Sequence, residues 1–396
     1  MSSFRVKRLC AACILISVVS AWFCVAKPYL ACCSPAMSAT LPEVSARASI
    51  LIEWQTGTIL FEKSGFTRMH PASLTKMMTA LLAVERGRLE DMIHVSREAA
   101  SQPGSSMNLR PGDLFSLEDL LHGLMLVSGN DAAWAIAEHI ANGATSDFFA
   151  LMNQRAKQLG AINTRFENPH GLTDPNHYTT AFDLAIIARA CLKHPYFKYL
   201  AATKEKDVIE AESSIVLSLQ NTNRLLWLLP GADGVKTGTT QAAGQCLVAS
   251  ATRDGMRLLA VVLDSLDRWH DTSKLLEYGF SNFRFVKVVP AGDTLVTLPA
   301  SRSTEKHVPV LCLTDLSACI PKHTLGLRIE VDLPSRVVPP CPAGTIVGQA
   351  TLCLGNQVVG YSDLVAGVWV NPKTPLRVVV YLASKIITLL CNLGLL

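Results

Sequence analysis

The chain has 396 residues, which is enough for two domains once targeting segments are set aside. Apolar residues make up 49% of it and charged residues 17%, so the composition excludes a disordered protein. The formal net charge of +4 is too small to favour a protein that binds nucleic acid.

The N-terminal segment, residues 1–38, has the pattern of an export signal. Three cations, Arg5, Lys7 and Arg8, precede an uncharged apolar run from Leu9 to Ala26. A positive segment followed by an apolar one is typical of a secretory signal, and this run is also long enough for an uncleaved anchor. We therefore expect an exported protein with a signal peptide or signal anchor in this segment.

A β-hairpin and a series of helices are predicted next along the chain. Two apolar-rich stretches, Ala48–Ile52 and Thr58–Glu62, flank a turn that contains Gly57, as is typical of a hairpin. Apolar side chains then recur at helical spacing from about Ser73 to Arg86. Further helical patterns follow at Leu117–Ser128, Asp131–Ile140, Phe148–Leu159 and Thr180–Leu192.

A second hairpin and a last helix complete the first domain. The strands Gln245–Thr252 and Met256–Leu263 flank the turn sequence Arg253-Asp254-Gly255, and a helix is predicted from Arg268 to Phe283. Helices that lie between two hairpins predict one antiparallel sheet covered by helices. We therefore expect an α+β domain at residues 39–284.

The first of three short motifs, Ser73-Leu74-Thr75-Lys76, supplies a nucleophile and a base. The serine and the lysine lie three residues apart on the predicted helix, so their side chains share a face. A serine hydroxyl is a weak nucleophile until a neighbouring base takes its proton. Burial, or a second cation such as Lys236, would keep Lys76 neutral and able to act as that base.

Two other motifs would complete a site around Ser73. Ser128-Gly129-Asn130 offers a hydroxyl that can relay a proton and an amide that can hold a substrate amide. Lys236-Thr237-Gly238 opens a strand in which the glycine would let a substrate backbone come close. The N-terminus of the Ser73 helix and the backbone N–H of Thr239 would stabilise an oxyanion. The three motifs in this order predict catalysis through an acyl-enzyme.

A β-rich domain is predicted at residues 285–372. From about Val286, short Val/Leu-rich runs alternate with Pro and Gly, which favours a small β-sandwich or barrel-like domain. We see no catalytic constellation in it and expect a spacer or platform. Its four cysteines could pair in an exported protein, although the sequence gives no connectivity. They are Cys312, Cys319, Cys341 and Cys353.

A terminal amphipathic helix is predicted at residues 373–396. Its polar residues, among them Arg377, Lys385 and Asn392, recur at helical spacing opposite a row of leucines and isoleucines. A spanning helix would bury Lys385 near the bilayer centre, at a cost of about 2.5–3.5 kcal/mol. We therefore favour a helix that lies in the membrane interface over one that spans the membrane.

The motifs and their flanks resemble the low-molecular-mass penicillin-binding D-alanyl-D-alanine carboxypeptidases, which are serine peptidases of the β-lactamase/transpeptidase-like fold. The stretches that carry the resemblance are Pro71–Ala80, Ser128–Ala133, Asn168–Leu172, His177–Ala181 and Gly231–Gly238. It implies removal of the terminal D-Ala from peptidoglycan stem pentapeptides, and inhibition by β-lactam antibiotics. It implies no cofactor, no metal and no nucleic acid partner. The place of action would be the outer, periplasmic side of the bacterial cytoplasmic membrane, with the C-terminal helix as a peripheral anchor.

The resemblance also implies roles for the matching residues. Ser73 would be the acylated nucleophile, Lys76 its base, and Ser128 a third catalytic residue. Lys236 and Thr237 would hold the terminal carboxylate of the substrate. The full predicted substrate-binding set is Asn130, Lys236, Thr237, Gly238, Thr239 and Arg268.

Two histidines near the motifs are not assigned to the chemistry. His170 resembles a loop residue beside the site, and we expect it to form a structural turn rather than to act in deacylation. His70 departs from the family pattern, which more often has an acidic or small residue there, and it is given no role.

Three other functions fit parts of the pattern. A serine β-lactamase shares the fold and the motifs, but the Glu-x-x-Leu-Asn stretch that often serves its deacylation does not occur between Asn130 and Lys236. A D,D-endopeptidase that cleaves cross-links has closely similar chemistry and stays open. A non-catalytic penicillin-binding scaffold is disfavoured because all three motifs are intact.

Overall fold

A five-stranded antiparallel sheet is the centre of the first domain. The computed structural model describes residues 40–373 and 383–387. The strands of this domain are β1 (Ala48–Glu53), β2 (Ile59–Lys63), β3 (Met92–His94), β4 (Leu114–Ser116), β5 (Glu205–Ile209), β6 (Val216–Gln220), β7 (Ala232–Thr240), β8 (Gly244–Arg253) and β9 (Met256–Ser265). The central sheet has the order β2-β1-β9-β8-β7, so β7 lies at an edge.

Both faces of this sheet are buried. Along β1, Ile50 and Ile52 pack into a large apolar core, whereas Leu51 packs into a second cluster on the other face. In β9, Val261 and Val262 divide between the same two clusters. Successive side chains of a strand point to opposite faces. The two cores therefore explain why these strands are apolar at nearly every position rather than at every second one.

The helices cover the two faces of the sheet. They are α1 (Lys76–Arg86), α2 (Arg97–Ala100), α3 (Leu117–Met125), α4 (Asn130–Ile140), α5 (Thr145–Leu159), α6 (Ala181–Lys193), α7 (Pro195–Ala202), α8 (Leu225–Leu228) and α9 (Arg268–Asn282). Helix α1 contacts α3, α4, α5, α6 and α7, and every residue from Lys76 to Ala83 is buried. On the opposite face, α9 packs through Leu275 and Leu276.

The predicted antiparallel sheet covered by helices is confirmed, with local differences. Ser73 lies in a 3₁₀ turn, Ala72–Thr75, that precedes α1, rather than in the α-helix itself. The positive φ of 48° at Ala72 breaks the regular helical path at this point. The β5–β6 hairpin was not predicted from the pattern, because each strand fully buries only one side chain, Val208 or Leu219.

The predicted all-β second domain is also confirmed. Its strands are β10 (Phe283–Val289), β11 (Thr294–Pro299), β12 (His307–Cys312), β13 (Leu316–Pro321), β14 (Leu327–Asp332), β15 (Ile346–Leu354) and β16 (Gln357–Ala366). Strands β10 and β13 form one pair, and a second sheet has the order β11-β12-β16-β15-β14. Side chains of both sheets, such as Ile320 and Leu352, share one core. Cys312, Cys341 and Cys353 are buried thiols.

The two predicted terminal segments lie mostly outside the described residues. Residues 1–38 lie wholly outside them. In the segment 373–396, only residue 373 and residues 383–387 are described, and residues 383–387 are helical. Within the described ranges, none of the helices combines the length and the apolar content that a membrane span requires. The signal and the anchor stay predictions.

The loop Asn168–Leu172 packs directly against the turn that holds Ser73. Gly171 has a φ of +92°, and a Cβ atom there would lie 1.8 Å from the carbonyl oxygen of Ala72. Gly160, at the end of α5, has a similar φ of +89°, but no atom lies within 4 Å of its Cβ position. Substitutions at Gly160 and Gly171 therefore distinguish the cost of a side chain on a left-handed backbone, which applies to both, from the cost of steric overlap, which applies only to Gly171.

We expect Gly171→Ala to destabilise the protein much more than Gly160→Ala does. The left-handed backbone should cost about 1–2 kcal/mol at either position. Overlap with the backbone of Ala72 should add about 1–3 kcal/mol at Gly171 alone. Thermal unfolding of both variants and the parent protein measures the difference, and equal losses would show that the loop does not press on the turn.

Candidate active site

The three predicted motifs meet at Ser73. Ser73 lies in the 3₁₀ turn before α1, and Lys236-Thr237-Gly238 lies in the edge strand β7. Ser128 and Gly129 lie between α3 and α4, and Asn130 is the first residue of α4. The Nζ atom of Lys76 is 3.0 Å from Ser73 Oγ. A Cβ atom on Gly238 would lie 3.1 Å from Ser73 N. Segments far apart in the sequence therefore surround one partly exposed serine.

The amine of Lys76 is fully buried among neutral acceptors. It donates hydrogen bonds to Asn130 Oδ1, at 2.6 Å, and to the carbonyl oxygen of His170, at 2.9 Å. Burial, and next the positive charge of Lys236, hold the pKa of Lys76 well below its usual value, while Asp131 opposes this shift. The predicted base thus lies beside its nucleophile and is biased towards the neutral form.

The second motif contributes a hydroxyl and an amide with different surroundings. Ser128 has a positive φ of 64°, and its buried Oγ has no hydrogen-bond partner among the described residues. Asn130 is held on its other side, because its Nδ2 donates to Pro103 O at 2.5 Å and its backbone N–H donates to Ser105 O at 2.7 Å. The Ser128 hydroxyl therefore has no partner among the described residues, whereas the Asn130 amide is fixed by a neighbouring loop.

Asp131 holds that loop in place, although the sequence analysis gave it no role. Its buried carboxylate accepts hydrogen bonds from Ser106 Oγ at 2.5 Å and from the backbone N–H of Met107 at 3.0 Å. It also accepts from the N–H of Leu109 at 3.1 Å and of Ala132 at 2.8 Å. This carboxylate therefore determines the shape of the loop that contacts Asn130.

Two cations lie together at the edge strand. Burial, and next the charge of Arg268, lower the pKa of Lys236 to about 7. Arg268 Nη1 donates to the carbonyl oxygens of Gly238, at 2.8 Å, and Cys246, at 3.1 Å. Neither cation forms an ion pair with an acidic side chain in the part of the chain that the structure describes. This edge of the site is therefore positive and has no counter-ion.

The threonines of β7 connect the strand to its surroundings. Thr237 Oγ1 lies 2.8 Å from Thr222 Oγ1, a residue that no sequence pattern singled out. Thr239 is exposed near the end of the strand. Beside it, Thr240 Oγ1 accepts a hydrogen bond of 3.3 Å from Thr173 Oγ1, which belongs to the loop that follows Asn168–Leu172. The strand is therefore tied to neighbouring segments at both ends of the motif.

The ring of His170 is a structural group, and its carbonyl is part of the site. His170 Nδ1 accepts from the N–H of Leu172 at 3.2 Å, so Nε2 donates to Gln102 Oε1 at 3.0 Å. Burial, followed by the charges of Lys76 and His177, lowers the pKa of His170 to about 3. The ring is therefore neutral and links two loops, while its carbonyl oxygen accepts from Lys76. No pattern in the sequence predicts that carbonyl contact.

A second histidine, His177, contacts the turn that holds Ser73. His177 Nε2 lies 2.9 Å from Thr75 Oγ1, and His70 Nδ1 donates to the backbone oxygen of His177 at 2.9 Å. Thr79 Oγ1, one turn further along α1, donates to Pro169 O at 2.6 Å. His70 therefore has a structural role, as a donor to the backbone of His177, that the sequence did not predict.

Two family models match most of the chain. Residues 35–266 match the D-alanyl-D-alanine carboxypeptidase family, and residues 283–371 match the C-terminal domain of penicillin-binding protein 5. The first match contains all three motifs and ends just before Arg268.

Known relatives match nearly over their full length. The chain is 34% identical to the D-alanyl-D-alanine carboxypeptidase DacF of Bacillus subtilis over 331 residues, which is 81% of this chain and 85% of the relative. It is 35% identical to DacC of Escherichia coli over 341 residues, which is 82% and 84% of the two chains. The structure matches penicillin-binding protein 5 of Haemophilus influenzae with a TM-score of 0.74 and 31% identity, over 84% of this chain and 99% of that one. The chain therefore belongs to the D-alanyl-D-alanine carboxypeptidase family of penicillin-binding serine peptidases.

Proposed function

We propose that this carboxypeptidase removes the terminal D-Ala from peptidoglycan stem pentapeptides through an acyl-enzyme on Ser73. The observation that carries the proposal is the environment of Lys76. A neutral amine has two N–H donors, and Asn130 Oδ1 and His170 O accept both of them. Its lone pair is then left to face Ser73 Oγ at 3.0 Å, which is the arrangement of a general base and its nucleophile.

Acylation follows from this arrangement. Lys76 takes the hydroxyl proton while Ser73 Oγ forms a bond to the carbonyl carbon of the penultimate D-Ala. The C–N bond to the terminal D-Ala then breaks, and the leaving nitrogen needs a proton. The buried, unpaired hydroxyl of Ser128 is suited to relay that proton from the ammonium of Lys76. Water later hydrolyses the ester, which releases the shortened peptide and restores Ser73.

The uncompensated cations support recognition of a C-terminal carboxylate. Lys236 and Arg268 have no acidic partner among the described residues, and Thr237 adds a hydroxyl on the same strand. β7 lies at the edge of the central sheet, so an extended peptide can pair with its backbone. A β-lactam with a carboxylate on its fused ring would use the same groups and acylate Ser73.

We also propose that the enzyme is exported and acts at the outer face of the bacterial cytoplasmic membrane. The basic and then apolar pattern of residues 1–38 supports export. The amphipathic pattern of residues 373–396 supports peripheral attachment to the membrane surface. Stem peptides of peptidoglycan are found on that side of the membrane.

The direct test is D-alanine release from a pentapeptide that ends in D-Ala-D-Ala, with and without penicillin pretreatment. We expect release that penicillin abolishes. Rapid penicillin hydrolysis without D-alanine release would identify a β-lactamase instead. Stable acylation without release from the pentapeptide, but with cleavage of cross-linked peptides, would identify an endopeptidase.

We expect Ser73→Ala to abolish both penicillin labelling and D-alanine release, with activity lowered by about 10⁴-fold or more. The variant has no oxygen to carry the acyl group. Ser101→Ala is the matched control, because Ser101 is an exposed serine that bonds only within its own helix end. Labelling that persists in Ser73→Ala would contradict the assignment of the nucleophile.

The pH dependence of acylation should report on the Lys76 amine. The charge of Lys236 helps to lower the pKa of Lys76, so Lys236→Gln should raise that pKa. Because only neutral Lys76 can take the proton, the acid limb of the penicillin acylation rate should move to higher pH. Lys157→Gln, on the exposed face of α5, is the control and should leave the limb in place. If the acid limb of Lys236→Gln does not shift, or shifts to lower pH, the result would contradict the assignment of Lys76 as the base.

A further inference from the structure

Three chain segments converge on one surface of the second domain. The segments are residues 300–306, 335–341 and 368–373. Backbone hydrogen bonds join them: Lys373 N to Arg302 O at 2.8 Å, Ser301 N to Val337 O at 3.0 Å, and Val370 N to Cys341 O at 2.8 Å. Underneath lies a small apolar cluster that includes Val337 and Val370. The three segments therefore form one continuous piece of surface.

Two apolar side chains of these segments, Val338 and Trp369, are exposed to solvent. Val337 and Val370 are buried, so their neighbours Val338 and Trp369 point outward, with 64% and 53% of their surface exposed. Both are large side chains without a covering element within the described residues. Trp369 is therefore a large amphipathic side chain that this surface presents to solvent.

The same three segments also carry exposed cations. The exposed cations of the three segments are Arg302, Lys306, Arg336 and Lys373. None of them takes part in an ion pair in the ranges that the structure covers. The segments contain one acidic residue, Glu305, which is partly buried. We call the surface formed by Arg302, Lys306, Arg336, Val338, Trp369 and Lys373 the basic end patch.

We propose that the basic end patch binds the anionic headgroup surface of a membrane. Tryptophan prefers the interface between headgroups and acyl chains, where its ring is apolar and its N–H stays hydrated. Each lysine or arginine near an anionic leaflet adds electrostatic attraction. The chain also continues from Lys373, at this patch, into residues 374–396, whose sequence predicts an interfacial helix. The patch and that helix would then contact the same surface.

This inference rests on the proposed location at the membrane and not on the chemistry at Ser73. A contact at the basic end patch would add a second point of attachment to the terminal helix. Two attachments would hold the second domain against the bilayer in one orientation, whereas the terminal helix alone would leave the domain free to turn.

Hydrogen–deuterium exchange of the full chain tests the contact directly. The probe is vesicles of phosphatidylcholine with phosphatidylglycerol, compared with phosphatidylcholine alone. We expect slower amide exchange in residues 300–306, 335–341 and 368–373 with the anionic vesicles. Exchange in these segments that is unchanged when the chain has bound would overturn the proposal. Protection that grows with protein concentration in the absence of vesicles would also overturn it, because the patch would then bind a second copy.

A charge-reversed variant of the full chain provides the second test. Arg302→Glu, Arg336→Glu and Trp369→Ser together should weaken binding to anionic vesicles by about tenfold or more. The matched control carries Lys322→Glu, Arg328→Glu and Leu325→Ser, which alters two cations and one exposed apolar residue elsewhere on the same domain. Equal binding by the two variants would overturn the assignment of the patch.

The same samples separate this inference from the proposed function. D-alanine release from a soluble pentapeptide should be equal in the parent, the patch variant and the control, because all six positions lie in the second domain, away from Ser73. Loss of vesicle binding with release unchanged supports the patch. If the parent chain does not release D-alanine, the proposed function is overturned. Vesicle binding by the patch variant and the control would then still test whether the basic end patch binds the membrane.

Discussion

The buried amine of Lys76 is the constraint on which the rest of the site depends. Burial of an ammonium without a paired carboxylate costs several kcal/mol, so the folded protein favours the neutral amine. A carboxylate in direct contact would reverse that preference. The nearby carboxylate of Asp131 is instead occupied by backbone N–H groups and by Ser106, and it acts on Lys76 only at a distance. The loop that Asp131 holds therefore also affects the charge state of Lys76.

The contacts of Lys76, Lys236 and Thr237 are held in place by further polar side chains. Thr79 and His177 hold the loop whose carbonyl accepts from Lys76. Arg268 and Thr222 hold the strand that carries Lys236 and Thr237. Because these supports join segments from different parts of the chain, the site exists only when the α+β domain is fully assembled.

The sequence allowed prediction of the features that are local. The turn sequences between apolar-rich stretches and the helical spacing predicted the sheet and its helices, and the motifs predicted Ser73, Lys76 and the edge strand. The carbonyl of His170 and the hydroxyl of Thr222 could not be predicted in the same way. A backbone oxygen is present at every residue, and a single threonine carries no pattern, so only the fold reveals which of them faces the site. The β5–β6 hairpin was missed because its strands are mostly exposed and lack a clear apolar alternation.

The positive edge formed by Lys236 and Arg268 has a consequence for the protein without its substrate. The charge of Arg268 disfavours the charged form of Lys236, and neither has an acidic partner among the described residues, so an anion bound there would relieve repulsion between them. Stability and anion occupancy are then linked through mass action, since a ligand that binds only the folded state favours folding. Small inorganic anions in the surrounding medium would then compete for the place that the proposed function gives to the peptide carboxylate. They would act at once as weak competitors of the substrate and as stabilisers of the fold.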